Sequence, residues 1–143
     1  MAVIGKLKTA DNLMFRGIAV PLTCSLCKVY PENHNHLFFD CEFSFNILTR
    51  LLPDLNIFLL RPTLTQVFDF FEHSMIHSRL EKDFACLTVS CIIYFIWKER
   101  NFRRFSNLSN NSVKVICNIS NAIRVKISKW KCKDSLLARF AGI

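Results

Sequence analysis

Glycine and proline are scarce in this sequence, with 3 Gly and 4 Pro among 143 residues. So few turn formers argue for few tight turns and for long helices. An apolar signal run is missing too: the first residues, MAVIGKLKTADN, do not form one. The most apolar window, residues 84–97, is 14 long, short of the roughly 18 needed to span a bilayer. A buried core helix is the expectation there, with no membrane span. There is no Gly-rich phosphate loop, and Asp and Glu are scattered without a pair that spacing alone would bring together for two-metal or acid/base work. The chain is therefore read as not an enzyme, with no small-molecule substrate. Seven cysteines, an odd number, with no sign of an oxidising compartment, read as thiols or metal ligands before disulfides. The expected location is intracellular, in nucleus or cytoplasm.

What is present is apolar mass and an uneven charge. The chain is 51% hydrophobic and 13% aromatic, with 14 Phe, which excludes disorder as the default and suits one domain with a sizeable core. Up to Trp97 there are 8 Lys or Arg against 9 Asp or Glu, a net charge of −1; from Lys98 onward there are 11 against 2, a net charge of +9. A basic block attracts polyanions by releasing counterions, which points to RNA or DNA first and an anionic membrane surface second. A solvated basic face that keeps a domain soluble accounts for the charge equally well.

The pattern predicts a mainly α fold of about five helices. LKTADNLMFR, residues 7–16, reads as a short lead-in helix ending at Gly17. Residues 18–35 hold Pro21, Pro31, Asn33 and Asn35 and read as irregular. From His36, Leu37, Cys41, Phe45, Leu48 and Leu52 recur at three- and four-residue intervals, so His36 and Cys41 are expected at the start of a helix. Thr63 with Gln66, and Ser78 with Glu81, form capping boxes that open two more helices, the second a run over 79–105 without Gly or Pro. A last helix over 113–130 places Val113, Ile116, Ile123, Ile127 and Trp130 on one stripe.

One constellation carries chemistry: Cys24-x2-Cys27-x8-His36-x4-Cys41. Thiolate and imidazole are ligands zinc prefers, and four of them closing a tetrahedron leave no open position, which makes the site structural. The two-residue gap lets a tight turn bring both sulfurs to one ion. His34 is a rival for His36, at x6 from Cys41 rather than the x4 of knuckle-type sites. Cys86, Cys91, Cys117 and Cys132 lack such spacing and read as small apolar fillers on helices.

The segments KLKTADNLMFRGI, CSLC, HLFFDCEFS and IIYFIWKERNFRRF, in that order, resemble the reverse transcriptase zinc-binding domain of plant non-LTR retrotransposon polyproteins. The resemblance covers residues 6–105 and implies that Cys24, Cys27, His36 and Cys41 are the Zn2+ ligands. The chain looks truncated at the N-terminus, starting inside the usual domain, and it carries no Tyr-Ala-Asp-Asp polymerase motif. The expected organisation is a zinc-binding-like domain over 1–105, its zinc-knuckle-like lobe near 18–50, followed by a basic helix and tail over 106–143. The resemblance further implies a module that holds template RNA or target DNA.

Candidate residues for that role are Arg100, Arg103 and Arg104, on one helix face opposite Phe95, Phe102 and Phe105, with Lys126, Lys129, Lys131 and Lys133 around Trp130 as a charged stacking platform. Neither pattern reads a sequence. Two alternatives remain: a protein-interaction module using an exposed Phe-rich helix over 67–71, and a retroelement remnant without selected function.

Overall fold

A computed structural model describes residues 2, 5–57, 60–74, 77–131 and 133–138, with the Lys133 side chain left out. Among them the fold is helical, with no strand beyond an isolated antiparallel bridge between Thr23 and Pro31. The helices are α1 (Ala10–Phe15), α2 (Glu42–Leu51), α3 (Leu64–His73), α4 (Arg79–Ser106), α5 (Ser112–Ile127) and α6 (Lys133–Leu137). A kinked turn at His36–Asp40 and a short 3-10 helix at Pro53–Ile57 flank α2.

Local chemistry sets most boundaries. α1 ends at Gly17, whose φ of 75° suits a residue without Cβ. There the Ile18 N–H donates to the Leu13 carbonyl and the Gly17 N–H to that of Met14, so the last carbonyls of the helix are satisfied. Both capping boxes form as their spacing predicts. Thr63 accepts from the Gln66 N–H and Ser78 from the Glu81 N–H, while each N3 side chain accepts from the cap backbone. Asn111 opens α5 by accepting from the Lys114 N–H.

The 28-residue α4, about 42 Å long, is the spine against which α2, α3 and α5 pack. Its buried stripe runs through Ala85, Thr88, Val89, Ile92 and Ile96 at helical spacing. α5 answers with Val115, Ile116, Ile119, Ile123 and Ile127, and α2 with Ile47, Leu48 and Leu51. A single apolar core joins these residues to Cys24, Leu26, Leu37, Phe38 and Phe39 of the N-terminal lobe.

Three expectations change. Val113 is 66% exposed, and the α5 stripe instead runs through Val115 and Ile119, one residue round the helix. The Phe-rich α3 is not an exposed apolar surface: Val67 and Phe71 are buried, and Phe68 and Phe70 pack against the core. Of the four cysteines read as fillers, Cys91 is buried and Cys86 half-buried, Cys117 is exposed on α5, and Cys132 lies outside the described residues.

The segment beginning at His36 also differs. The helix breaks at Phe38 (φ −106°, ψ 85°) and Phe39 (φ 88°, ψ −10°) before α2 starts at Glu42. A phenylalanine at positive φ is strained, and here it is over-determined. Phe39 is fully buried, and its N–H donates to Ser44 Oγ, which in turn donates to the Cys41 carbonyl. The kink puts His36 one turn before α2 and makes Cys41 its N-cap.

Candidate metal centre and basic surfaces

Cys24 and Cys27 flank a tight turn closed by the Lys28 N–H donating to the Cys24 carbonyl at 2.8 Å. Lys28 takes up a φ of 59° to complete it. The Cys24 N–H donates to the Tyr30 carbonyl at 2.8 Å and the Glu32 N–H to that of Leu22 at 2.7 Å, so the turn is the tip of a short ribbon. His36 is set by Asn33, whose side-chain carbonyl accepts from the His36 N–H at 2.8 Å. The Cys41 N–H closes the kink onto the His36 carbonyl at 2.7 Å.

This backbone brings Cys24 Sγ, Cys27 Sγ, Cys41 Sγ and one His36 ring nitrogen within 4.8 Å of one another. Cys27 Sγ lies 3.3 Å from His36 Nε2. In a tetrahedron with metal–sulfur bonds of ~2.3 Å and metal–nitrogen bonds of ~2.0 Å, that edge is about 3.5 Å. Three cysteines and one histidine at this spacing can hold a metal ion. The other ring nitrogen is turned to a carboxylate, Asp40 Oδ2 standing 3.6 Å from Nδ1, the usual orienting partner of a metal-bound imidazole. Its rival His34 points elsewhere, onto the Ala2 carbonyl and against Phe38.

The thiols are electrostatically coupled. A hydrogen bond between the Cys24 and Cys41 sulfurs, reinforced by burial, pushes the Cys24 thiol up. The same hydrogen bond holds the Cys41 thiol below its ordinary value against the opposing effect of burial. A cation bonded to both sulfurs would take the place of that shared proton.

The lobe is anchored to the spine by charge. Glu32, 1% exposed, accepts from the Ala10 N–H at the start of α1 at 2.9 Å and from Arg100 Nη2 at 2.6 Å and Nε at 3.1 Å. Arg104 reaches its other oxygen at 3.3 Å and the Pro21 carbonyl at 3.3 Å, leaving its Nε and Nη1 buried and unpartnered among the described residues. Arg103 donates to Glu99 at 2.7 Å and to the Leu26 carbonyl at 2.9 Å, inside the Cys24–Cys27 turn. Burial pulls the Glu99 carboxyl upward, but hydrogen bonds from Asn110 and Arg103 outweigh it and hold the group below the usual range.

These interactions correct the expected arginine patch. Arg100 is 2% exposed, and the side chains of Arg103 and Arg104 are 10% and 11% exposed. The face offered to solvent carries Phe102 and Phe105 instead. Extending the α4 stripe from Ile92 and Ile96 by three, four and seven residues lands on Glu99, Arg100 and Arg103. That extension was a readable signal. The buried partner Glu32, 68 positions from Arg100, was not. By contrast, Lys126, Lys129 and Lys131 are exposed around a half-buried Trp130, while the side chain of Lys133 lies outside the described residues.

Among the described residues no helix is long and apolar enough to cross a membrane. Neither the curated proteins nor the solved structures offer a match to this chain. Residues 1–47, which carry all four clustered donors, match the family described as zinc-binding in reverse transcriptase.

Proposed function

We propose that the chain is a structural zinc module that binds nucleic acid through the basic end of α5 and has no polymerase activity of its own. The observation that carries this reading is the convergence of Cys24, Cys27, His36 and Cys41 on one point. Three thiolates and one imidazole select zinc among the common divalent ions, and four protein ligands complete its tetrahedron. No position is then left for a substrate, so the ion holds the lobe rather than performs a reaction.

The nucleic-acid part rests on the exposed Lys126, Lys129 and Lys131. Mobile ammonium groups on a helix end suit phosphates without sequence preference, and Trp130 among them supplies a ring on which a base can stack. The match over residues 1–47 supports the zinc lobe, and the basic end lies well outside it. Filter binding of unstructured RNA and DNA oligonucleotides at increasing salt tests this part. Log affinity should fall linearly with log salt; binding that is absent at low salt, or indifferent to salt, rules it out.

A further inference from the structure

Beside the metal cluster lies a pocket of about 570 Å³, within the size range of small-ligand sites. Its lining joins the aromatic Tyr30 and Phe43 to the charged Asp40, Glu42 and Arg61, next to Cys27 and His36 of the donor set. Tyr30 and Val29 are 63% and 69% exposed, although backbone hydrogen bonds hold the turn that carries them. The Tyr30 carbonyl accepts from Cys24, its ring tilts against His36 at 5.8 Å, and Pro31 pairs with Thr23. A largely exposed aromatic ring on such a turn offers a face for stacking.

The charged part of the lining narrows what can stack there. Asp40 and Glu42 are acceptors only, and they repel a phosphate from the pocket. Asp40 is already turned toward His36 Nδ1, which leaves Glu42, the first residue of α2, to meet the ligand edge. A nucleobase offering two adjacent donors suits one carboxylate. Guanine does so with its N1–H and exocyclic N2–H. Adenine and cytosine set a ring acceptor beside their single amino group, and uracil flanks its N3–H with two carbonyls. Phe43 is backed by the Arg103 guanidinium, 4.5 Å from its ring centre, so this part of the lining is tied to α4. Arg61, also in the lining, lies over Phe45 and donates to the Asp40 carbonyl, which supplies a cation for the phosphate of a bound nucleotide.

We infer that this pocket takes one unpaired guanine base of a single-stranded nucleic acid, stacked on Tyr30 and read by Glu42. The inference rests on the nucleic-acid reading above and adds a base preference to an interaction otherwise blind to sequence. The test uses the zinc-loaded full chain and fluorescence anisotropy at fixed low salt. It compares unstructured uridine oligonucleotides with and without one central guanosine, and a matching thymidine series for DNA. One guanine should tighten binding about tenfold in at least one series. Glu42→Gln should remove that gain while leaving affinity for the guanine-free strand in place, and Tyr30→Ala should weaken guanine-containing strands about tenfold.

Zinc content of one per chain in both variants separates loss of base recognition from loss of the fold. Should Tyr30→Ala not fold, titration of the unaltered chain with guanosine monophosphate and adenosine monophosphate, followed by tyrosine fluorescence, reads the same pocket. Saturation by the first alone is expected, and equal response overturns the proposal. Equal affinity for strands with and without guanine, or a preference that survives Glu42→Gln, sinks this inference and leaves the lysine surface standing. No binding to any strand at low salt sinks both.

Discussion

Two basic regions of this molecule look alike in sequence and meet opposite fates in the fold. Arg100, Arg103 and Arg104 at the end of α4 are turned inward, where they grip Glu32, Glu99 and the carbonyls of the cysteine turn. Lys126 at the end of α5 and Lys129 and Lys131 in the turn after it stand in solvent. The difference follows from side-chain chemistry and from register. A planar guanidinium with five donors can be buried if carboxylates and carbonyls meet it in a fixed fork, whereas an ammonium is strongly hydrated and stays out. The arginines also continue the helix face that begins with Ile92 and Ile96, and the burial of that face carries them inside. A net charge summed along a sequence therefore overstates the surface available to a polyanion.

The largest effect expected from breaking this arrangement comes from the metal. Structural zinc contributes about 10 kcal/mol of folding energy in small modules. Chelation should strip hydrogen-exchange protection from residues 18–41 while α4 and α5 keep most of theirs, because their apolar packing does not pass through the ion. Next in size is Arg100→Ala, which leaves Glu32 buried without its main partner and should cost about 3–5 kcal/mol in urea unfolding. Arg104→Ala should cost clearly less, since Arg104 shares the same carboxylate at longer range and brings unpartnered donors of its own.

Lysine substitutions should show the reverse profile. Ala at Lys126, Lys129 or Lys131 should change stability by no more than about 0.5 kcal/mol, yet lower the salt slope of nucleic-acid binding by about one for each phosphate left without its cation. If Arg100→Ala altered binding without altering stability, the contrast between the two regions would be wrong.

The smallest effect concerns acid. Glu99 has a depressed carboxyl in the fold, so its stabilising contribution is complete above the ordinary Glu value, about 4.3, and is lost as pH falls through the lower folded value. Glu99→Gln should flatten the acid limb of a stability-against-pH curve below about pH 4, measured by circular dichroism.

The sequence was most legible where the physics is local. Capping boxes at Thr63 and Ser78 and the glycine stop at Gly17 form as read, because each depends on residues three or four apart. The donor set Cys24, Cys27, His36 and Cys41 was legible for a related reason, since two short pairs carry most of its geometry. The break at Phe39 was not, because a buried phenylalanine at positive φ is held there by Ser44 and the surrounding core rather than by its own propensity. Nor was the direction of the α4 arginines, whose counter-charge Glu32 lies in a loop far away in the chain. Long-range partners of this kind leave no period in the sequence.

Metal content measured on the purified chain and on Cys41→Ser tests the central claim most directly. One zinc per chain is expected in the unaltered protein, with less than one retained after Cys41→Ser and an N-terminal lobe that has lost its protection. Absence of zinc from a folded chain, or full retention of it in Cys41→Ser, would contradict the assignment of these four residues.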